Sequence, residues 1–533
     1  MGQLPEFPAN NALQSLSLSF TNFSGKLLEL VVPNLVNHNL DGNKLFGSIH
    51  SSLFTLPSLK ILYLGDNRLV GKINEFPNAS SSLIEVLYIG NNYLTGPIPK
   101  SILQLPWLEW LYIEGNSFSS MKLDMCVQLK NLRTLSLNNI SFLIESDNIS
   151  LTFPLLESLR ISSCNLTEFP EFIKTKDKLI SVELSNNHIH GIVPNWLWKS
   201  TLSQLYLSFN MIDFPKQLPL SDANFSFPML RRLYLGSCYI SAFPEFKEVW
   251  KKSLRYLSLA NNHLSSLDQL LPNKSSTFSQ GFFYFDASYN NLSGPIPNWL
   301  CNMSQLGSFD ASYNNLSGSI PNCLGNMSQF GRNNFSGMLP KFSKATKLQI
   351  LKISESRLEG KLPRSLAECT QLEVLDVGNN KMNDTFPFWL VKLPYLTVLI
   401  LRENRFYGQI KHFKHKSVFP TLDVWDIASN QFSGELSIDF LQPTRLRSLK
   451  IGGNKLEGKL SRSLANCTAL EVLDLGNNMV HDTFPFWLEK LPSLKVLVLR
   501  ANRFYGTISK IDTECGFPKL RILDIASNHF SGD

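Results

Sequence analysis

The chain has 533 residues, of which 43% are hydrophobic and 17% charged, with a formal net charge of +7 at pH 7. That charge is small for the length and scattered, which leaves no footprint for nucleic acid; no stretch approaches 18 consecutive apolar residues, so nothing in it spans a membrane. A length that would ordinarily mean several domains fits a single one only if the fold grows by repetition.

Taken in order, the start MGQLPEFPANNALQSL has neither the basic region nor the apolar run of a signal peptide, and Glu6 stands where a myristoylation motif requires Ser or Thr. By its own signals the chain stays in the cytosol. Residues 1–45 form an irregular start, with His38 in a strand position that wants an apolar side chain. From Leu59 a clean pattern sets in: LKILYLGDNRLVG, IEVLYIGNNYLTGPIP, LEWLYIEGNSF.

The fullest version of the pattern is FFYFDASYNNLSGPIP, Phe282 to Pro297, which returns as FDASYNNLSGSIP, Phe309 to Pro321. Its alternating apolar residues predict a short strand with one face in a core. Asn290 follows, with an amide able to bridge backbones of successive coils. Gly294 allows a sharp bend, and Pro295 and Pro297 hold the return path extended. The position of Asn290 recurs 22 times at a spacing of about 24 residues, as Asn in 17 turns and as Thr21, Ile140, Cys164, Cys238 and Ser356 in the others. A period in that range marks a solenoid. We therefore expect one solenoid of about 22 turns over residues 1–533.

Insertions such as LPLSDANFSFP and LPNKSSTFSQG read as exposed loops. Residues 325–340 form a defective turn, because Ser328 replaces the central apolar residue of its strand. Residues 351–434 recur as 449–532 at a constant offset of 98. The cluster KHFKHK, Lys411 to Lys416, is read as a solvated loop or an anion-binding one; its duplicate SKIDTE lacks the charges. The eight cysteines show no close pairing motif. Buried thiols are expected, with Cys301 and Cys323 the pair to test for a bridge between neighbouring turns.

No catalytic motif is present, and neither a cofactor nor a metal is expected. Asp286, Asp310, Asp376, Asp426, Asp474 and Asp524 share one repeat position and read as solvated consensus residues. Outward strand positions are where a solenoid offers binding surface. Tyr63, Tyr88 and Tyr112 hold that position in consecutive turns, Tyr206 and Tyr234 in two more, and Trp110 lies two residues before Tyr112. They are candidate ligand-binding residues, or simply strand-favouring tyrosines that stabilise their neighbours. Sequons begin at Asn22, Asn78, Asn139, Asn148, Asn165, Asn224, Asn273, Asn291, Asn302, Asn315, Asn326, Asn334, Asn383 and Asn466. They are candidate glycosylation sites, although the repeat consensus N-N-L-S-G generates several of them.

The asparagine run and the L-x-G-x-I-P extension at Leu94 to Pro99, Leu292 to Pro297 and Leu316 to Pro321 resemble leucine-rich repeats of the plant extracellular subtype. TFPFWL, SLANCTALEVLDLGNN and SCNLTEFPEFIKTKDKL resemble plant receptor-like proteins of the disease-resistance type, which have no kinase. The resemblance implies an α/β solenoid: a leucine-rich-repeat horseshoe with a concave parallel β-sheet and a mostly irregular or 3-10 convex side. It implies a glycosylated ectodomain on the extracellular side of the plasma membrane. Such an ectodomain binds peptide or protein ligands in plant defence and signals through a co-receptor kinase. The sequence departs from that pattern in lacking a signal peptide, a cysteine-paired cap, a non-repeat island and a membrane helix, so a chain truncated at both ends is expected. The alternatives are an inhibitor of a microbial wall-degrading enzyme, which would need far fewer turns, and a truncated, non-signalling product.

Overall fold

A computed structural model of the chain describes residues 12–29, 32–143, 153–214, 230–242, 253–267, 281–303, 306–321, 331–342, 348–410, 421–435, 445–508 and 516–532. The chain packs as two compact units, Met1–His263 with Gln269–Gly281, and Leu264–Asp268 with Phe282–Asp533. Each is built from the same parallel-strand coil.

In the first unit the strands that follow the apolar alternation pair in parallel, in chain order, from Ser15–Ser17 to Tyr256–Ser258. Ile61–Tyr63 is typical: Leu62 points inward and is fully buried, as is Leu64, while Ile61 and Tyr63 face out and are half-buried. Each such inward side chain contributes roughly 1.5–3 kcal/mol of burial. In the second unit Tyr284–Asp286 pairs with Ser308–Asp310. An eight-stranded ladder then runs from Ile350–Lys352 to Ile522–Asp524. Among the described residues the far side of the coil is made of short 3-10 turns such as Ser51–Thr55, Arg364–Glu368 and Phe388–Lys392, with an α-helical turn at Lys100–Leu103.

The glycine-bearing segments that follow the ladder asparagine, L-x-G-x-I-P at Leu94 to Pro99 among them, do more than bend. Lys44–Gly47, Arg68–Gly71 and Tyr93–Gly96 belong to a second parallel sheet of five strands beside the ladder, and Gln431–Glu435 and Lys455–Gly458 to a four-stranded one in the second unit. Glycine is required where this strand turns out. Gly96 has φ +79°, and a Cβ there would lie 2.7 Å from Lys72 Cγ.

Asparagine supplies the joint between coils. Asn67 Nδ2 donates to Gly65 O and Leu64 O in its own turn (2.8 and 3.3 Å) and to Leu40 O in the turn before (3.0 Å). Its Oδ1 accepts from Leu45 N at 3.0 Å. Cysteine replaces only the donor half: Cys164 Sγ reaches Leu137 O and Ser162 O at 3.3 Å, and Cys238 Sγ reaches Leu207 O at 3.2 Å. In the next turn Asn187 Oδ1 accepts from Leu166 N, as the joint requires, and also from Cys164 N. Burial pushes the two thiols up to about 11 and about 12.

Cys126, Cys369 and Cys467 also carry buried thiols. Cys301 is disulfide-bonded, while Cys323 lies outside the described residues, as do Ser328 and the Lys411–Lys416 cluster. Of the 325–340 turn, the described part includes a five-residue strand, Asn334–Met338, paired on both sides. Asn333 there makes the usual joint, its Oδ1 accepting from Leu316 N at 3.0 Å and its Nδ2 donating to Ala311 O at 2.8 Å. In the irregular start His38 occupies its inward position and is completely buried, with neither ring nitrogen hydrogen-bonded.

Candidate functional site

The outward residues of the ladder strands form one face in each unit. In the first unit the parallel register places Tyr63 beside Tyr88 and Tyr88 beside Tyr112. Their rings meet edge to face, with centroids 6.1 and 5.6 Å apart. Trp110 is on the same strand as Tyr112 and, like it, half-buried on the outward side. Acidic groups border this comb. Tyr88 Oη donates to Asp66 Oδ2 at 2.9 Å. Burial, and then the Asp66 charge, raise the Asp41 carboxyl to about 6; burial also raises Glu114 and the tyrosine hydroxyls of Tyr63 and Tyr88.

Tyr206 and Tyr234 form a separate pair, stacked at 5.0 Å and 11°. The Arg232 guanidinium lies 5.0 Å from the Tyr256 ring centroid on the adjoining strand. Between the two groups the outward strand positions are Thr134, Ser136, Ser158, Arg160, Ser181 and Glu183, with Arg160 3.8 Å from Glu183; just before the strands, Arg133 contacts Glu109 at 3.1 Å and Glu157 at 2.5 Å. The five tyrosines are therefore two aromatic patches with a largely hydroxyl-bearing band and one Arg–Glu pair between them.

The aspartate row has a structural task that the sequence reading, which placed it in solvent, did not give it. Each Oδ1 accepts a hydrogen bond from the backbone N–H two residues on: Ser288 N to Asp286 (3.0 Å), Ser312 N to Asp310 (2.9 Å), Gly378 N to Asp376 (2.9 Å), Ala428 N to Asp426 (3.2 Å), Gly476 N to Asp474 (2.9 Å) and Ala526 N to Asp524 (3.2 Å). This Asx-type contact ends the strand. Asp426 is only 4% exposed. Burial raises its pKa, against the pull of the Ala428 N–H, Lys450 and Arg402. A raised carboxyl stabilises the fold fully below its unfolded pKa and loses that contribution as pH rises through the folded one. Asp426→Asn, which keeps an acceptor oxygen, is therefore expected to raise the Tm at pH 7, with the gain shrinking as the buffer is taken down through the carboxylate range.

Sequence reasoning missed a second set of side chains. The residue before the ladder asparagine adopts positive φ, which disfavours bulky side chains. Yet Phe209 (φ 60°) and Tyr313 (φ 55°) sit there, as does Tyr289 (φ 53°), while Tyr239 follows Cys238 at φ 65°. Phe209 and Tyr239 are more than 60% exposed and, with His188, Met211 and His263, line a groove of about 410 Å³ in the first unit. In the second unit Tyr289 and Tyr313 stack at 3.9 Å, and the Arg332 guanidinium lies 4.6 Å from the Tyr313 centroid. The signal available in the sequence was an aromatic at a position that otherwise favours Gly, Asn or Asp.

Among the sequons, Asn22, Asn78, Asn139, Asn165, Asn291, Asn315, Asn383 and Asn466 are exposed and Asn334 is half-buried, its amide donating to Asn315. None of these lies on a ladder strand. Asn148, Asn224, Asn273 and Asn326 lie outside the described residues, and the side chain of Asn302 is not described. Among the described residues no helix is long and apolar enough to cross a membrane, and no group of three His, Cys, Asp or Glu could hold a metal ion.

Residues 444–504 match the family described as Leucine rich repeat, and residues 83–105, 178–200, 283–303 and 305–327 match a second family with the same description. The chain is 30% identical to Receptor-like protein 18 of Arabidopsis thaliana over 427 residues, 80% of this chain and 40% of that protein. With Receptor-like protein 39 of the same plant it shares 32% identity over 75% of this chain and 42% of the relative. The chain thus spans about two fifths of the length of these relatives. Among solved structures, the Arabidopsis receptor kinase HAESA in complex with the peptide hormone IDA and the co-receptor SERK1 superposes with a TM-score of 0.71 at 26% identity. The superposition covers 99% of this chain and 88% of that one. The plant peptide hormone receptor RGFR1 in complex with RGF2 shares the fold, with a TM-score of 0.67 at 23% identity, over 100% of this chain and 92% of that one.

Proposed function

We propose that this leucine-rich-repeat chain, a homologue of the Arabidopsis receptor-like proteins, is part of the extracellular ectodomain of a plant receptor-like protein in defence signalling. It binds a peptide or protein ligand on its ladder face and acts through a partner receptor kinase. It is a recognition module, not an enzyme. The observation that carries this reading is the ladder face itself. Its inward residues make the core, while Tyr63, Tyr88, Trp110, Tyr112, Tyr206 and Tyr234 stand half-buried and in register on the other side. Amphipathic rings held rigidly by strands make effective contact surface at low entropic cost. The described sequons lie off that face, and a disulfide at Cys301 fits an oxidising compartment.

The test is selection of random dodecapeptides on the full chain. Binders are expected to lose tenfold or more in affinity on a Tyr88→Ala, Tyr112→Ala variant or on an Arg402→Glu, Arg500→Glu variant, whose guanidinium groups lie 3.9 and 3.6 Å from the outward ladder residues Asp426 and Asp524. They should keep their affinity on Trp107→Ala, a 56% exposed residue off the ladder strands. Affinity indifferent to both ladder-face variants would contradict the reading.

A further inference from the structure

The second unit presents one set of outward side chains twice. Lys352, Asp376, Arg402 and Asp426 recur 98 residues later as Lys450, Asp474, Arg500 and Asp524, and Val374, Val398 and Val424 recur as Val472, Val496 and Ile522. Except for the arginines, which follow two residues after the strand position of Ile400 and Val498, all stand on outward positions of consecutively paired strands.

The geometry is copied as well as the residue types. Arg402 Nη1 lies 3.9 Å from Asp426 Oδ2, and Arg500 Nη1 lies 3.6 Å from Asp524 Oδ2. Each arginine stem crosses a glycine: a Cβ on Gly378 would meet Arg402 Cγ at 3.2 Å, and one on Gly476 would meet Arg500 Cγ at 3.1 Å. A Cβ on the same two glycines would also lie 3.2 Å from Asp376 Oδ1 and 3.3 Å from Asp474 Oδ1. The first copy lines a hollow of about 440 Å³ with Val374, Val398 and Ile400, together with Tyr313, the cations Arg332, Lys352 and Arg402 and the carboxylates Glu355 and Asp376. The duplication has not kept everything. Glu355 and Glu403 have become Gly453 and Ala501, and KHFKHK has become SKIDTE.

The geometry points to two equivalent peptide subsites on this face, four turns apart. Each seats apolar side chains on its valine strip and an acidic side chain against its lysine and arginine. This rests on the reading of the ladder face as the ligand surface. Adjacent parallel strands lie ~4.8 Å apart, so four turns separate the copies by about 19 Å, which an extended peptide at ~3.3 Å per residue covers in about six residues. The ligand is a peptide, or an extended segment of a protein, whose acidic and apolar pattern returns about every six residues.

The experiment uses the full chain, a hexapeptide selected from a random displayed library, and the head-to-tail tandem of that hexapeptide, followed by titration calorimetry. The hexapeptide is expected to bind with a stoichiometry of two. Arg402→Glu or Arg500→Glu should each reduce this to one, and the double variant should abolish binding. The tandem should bind one to one and about 10²–10⁴-fold tighter, a gain lost in either single variant. Lys352→Glu and Lys450→Glu repeat the test at surface ammonium groups should an arginine variant fail to fold. A single site removed by only one of the two variants, or a tandem with no gain, overturns the duplicated subsites and leaves the broader reading standing. Hexapeptides insensitive to these variants but lost on Tyr88→Ala, Tyr112→Ala do the same. Hexapeptides insensitive to every ladder-face change overturn both.

Discussion

Asn404→Ala is expected to cost about 3–5 kcal/mol, at the extreme of single substitutions. The Asn404 side chain is 9% exposed. Its Nδ2 donates to Val377 O, Leu401 O and Arg402 O at 2.9, 3.1 and 3.1 Å, and its Oδ1 accepts from Met382 N at 2.9 Å. Alanine leaves the Met382 N–H without its acceptor and weakens three carbonyls in a site closed to water, at ~1–3 kcal/mol for each buried group left unsatisfied. Val377 O, Leu401 O and Arg402 O keep one donor each, from the side chains of Asn380 and Asn430 and from Asn379 N, which holds the cost below the simple total. Asn404→Cys is the informative partner. Cysteine already serves at Cys164 and Cys238 by donating to the preceding turn, so it should lose visibly less than alanine. Denaturant unfolding, combined with hydrogen exchange at the Met382 amide, separates the outcomes. Equal and small losses for both variants would mean that the joint between coils lies elsewhere.

His38→Leu is expected to do the opposite. The imidazole is fully buried with both ring nitrogens unpaired, so leucine removes a desolvation cost of about 1–3 kcal/mol at pH 7. Acid enlarges the difference. Burial lowers the His38 pKa from 6.5 to about 4, so the unfolded chain binds the proton first and the folded state loses stability as pH falls from 6.5 towards 4. At ~1.4 kcal/mol per pH unit, that adds about 3 kcal/mol by pH 4. Because each coil of a solenoid leans only on its neighbours, the effect belongs to the first turns. Exchange of the Leu40 amide, bonded to Tyr63 O at 2.8 Å, is the local readout. The variant should flatten its acid dependence, and a wild-type profile with no inflection between pH 6.5 and 4 would contradict this account of His38.

Much of this was legible from the residues. Strand period, inward leucines and the asparagine joint follow from apolar spacing and amide chemistry, and the cysteines at 164 and 238 fall where the repeat places them. The second sheet was not legible. Gly71 and Gly96 were readable as bends, but pairing between turns depends on coil registration, which a single repeat does not display. The tyrosines were correctly assigned to one face, yet whether Tyr112 and Tyr206 touch depends on the turns between them, where Arg133 and Arg160 stand in ion pairs. The aspartates were misread because a carboxylate beside a strand end has the same spacing whether it faces water or the amide two residues on.

The most direct test of the ladder face as the recognition surface is hydroxyl-radical footprinting of the full chain with and without a selected dodecapeptide. The account predicts protection at outward ladder residues, Tyr63, Tyr88, Trp110 and Tyr112 or Val374, Val398 and Ile400, with Trp107 and Tyr395 unchanged. Protection confined to Trp107, Tyr395 and the 3-10 side would contradict it.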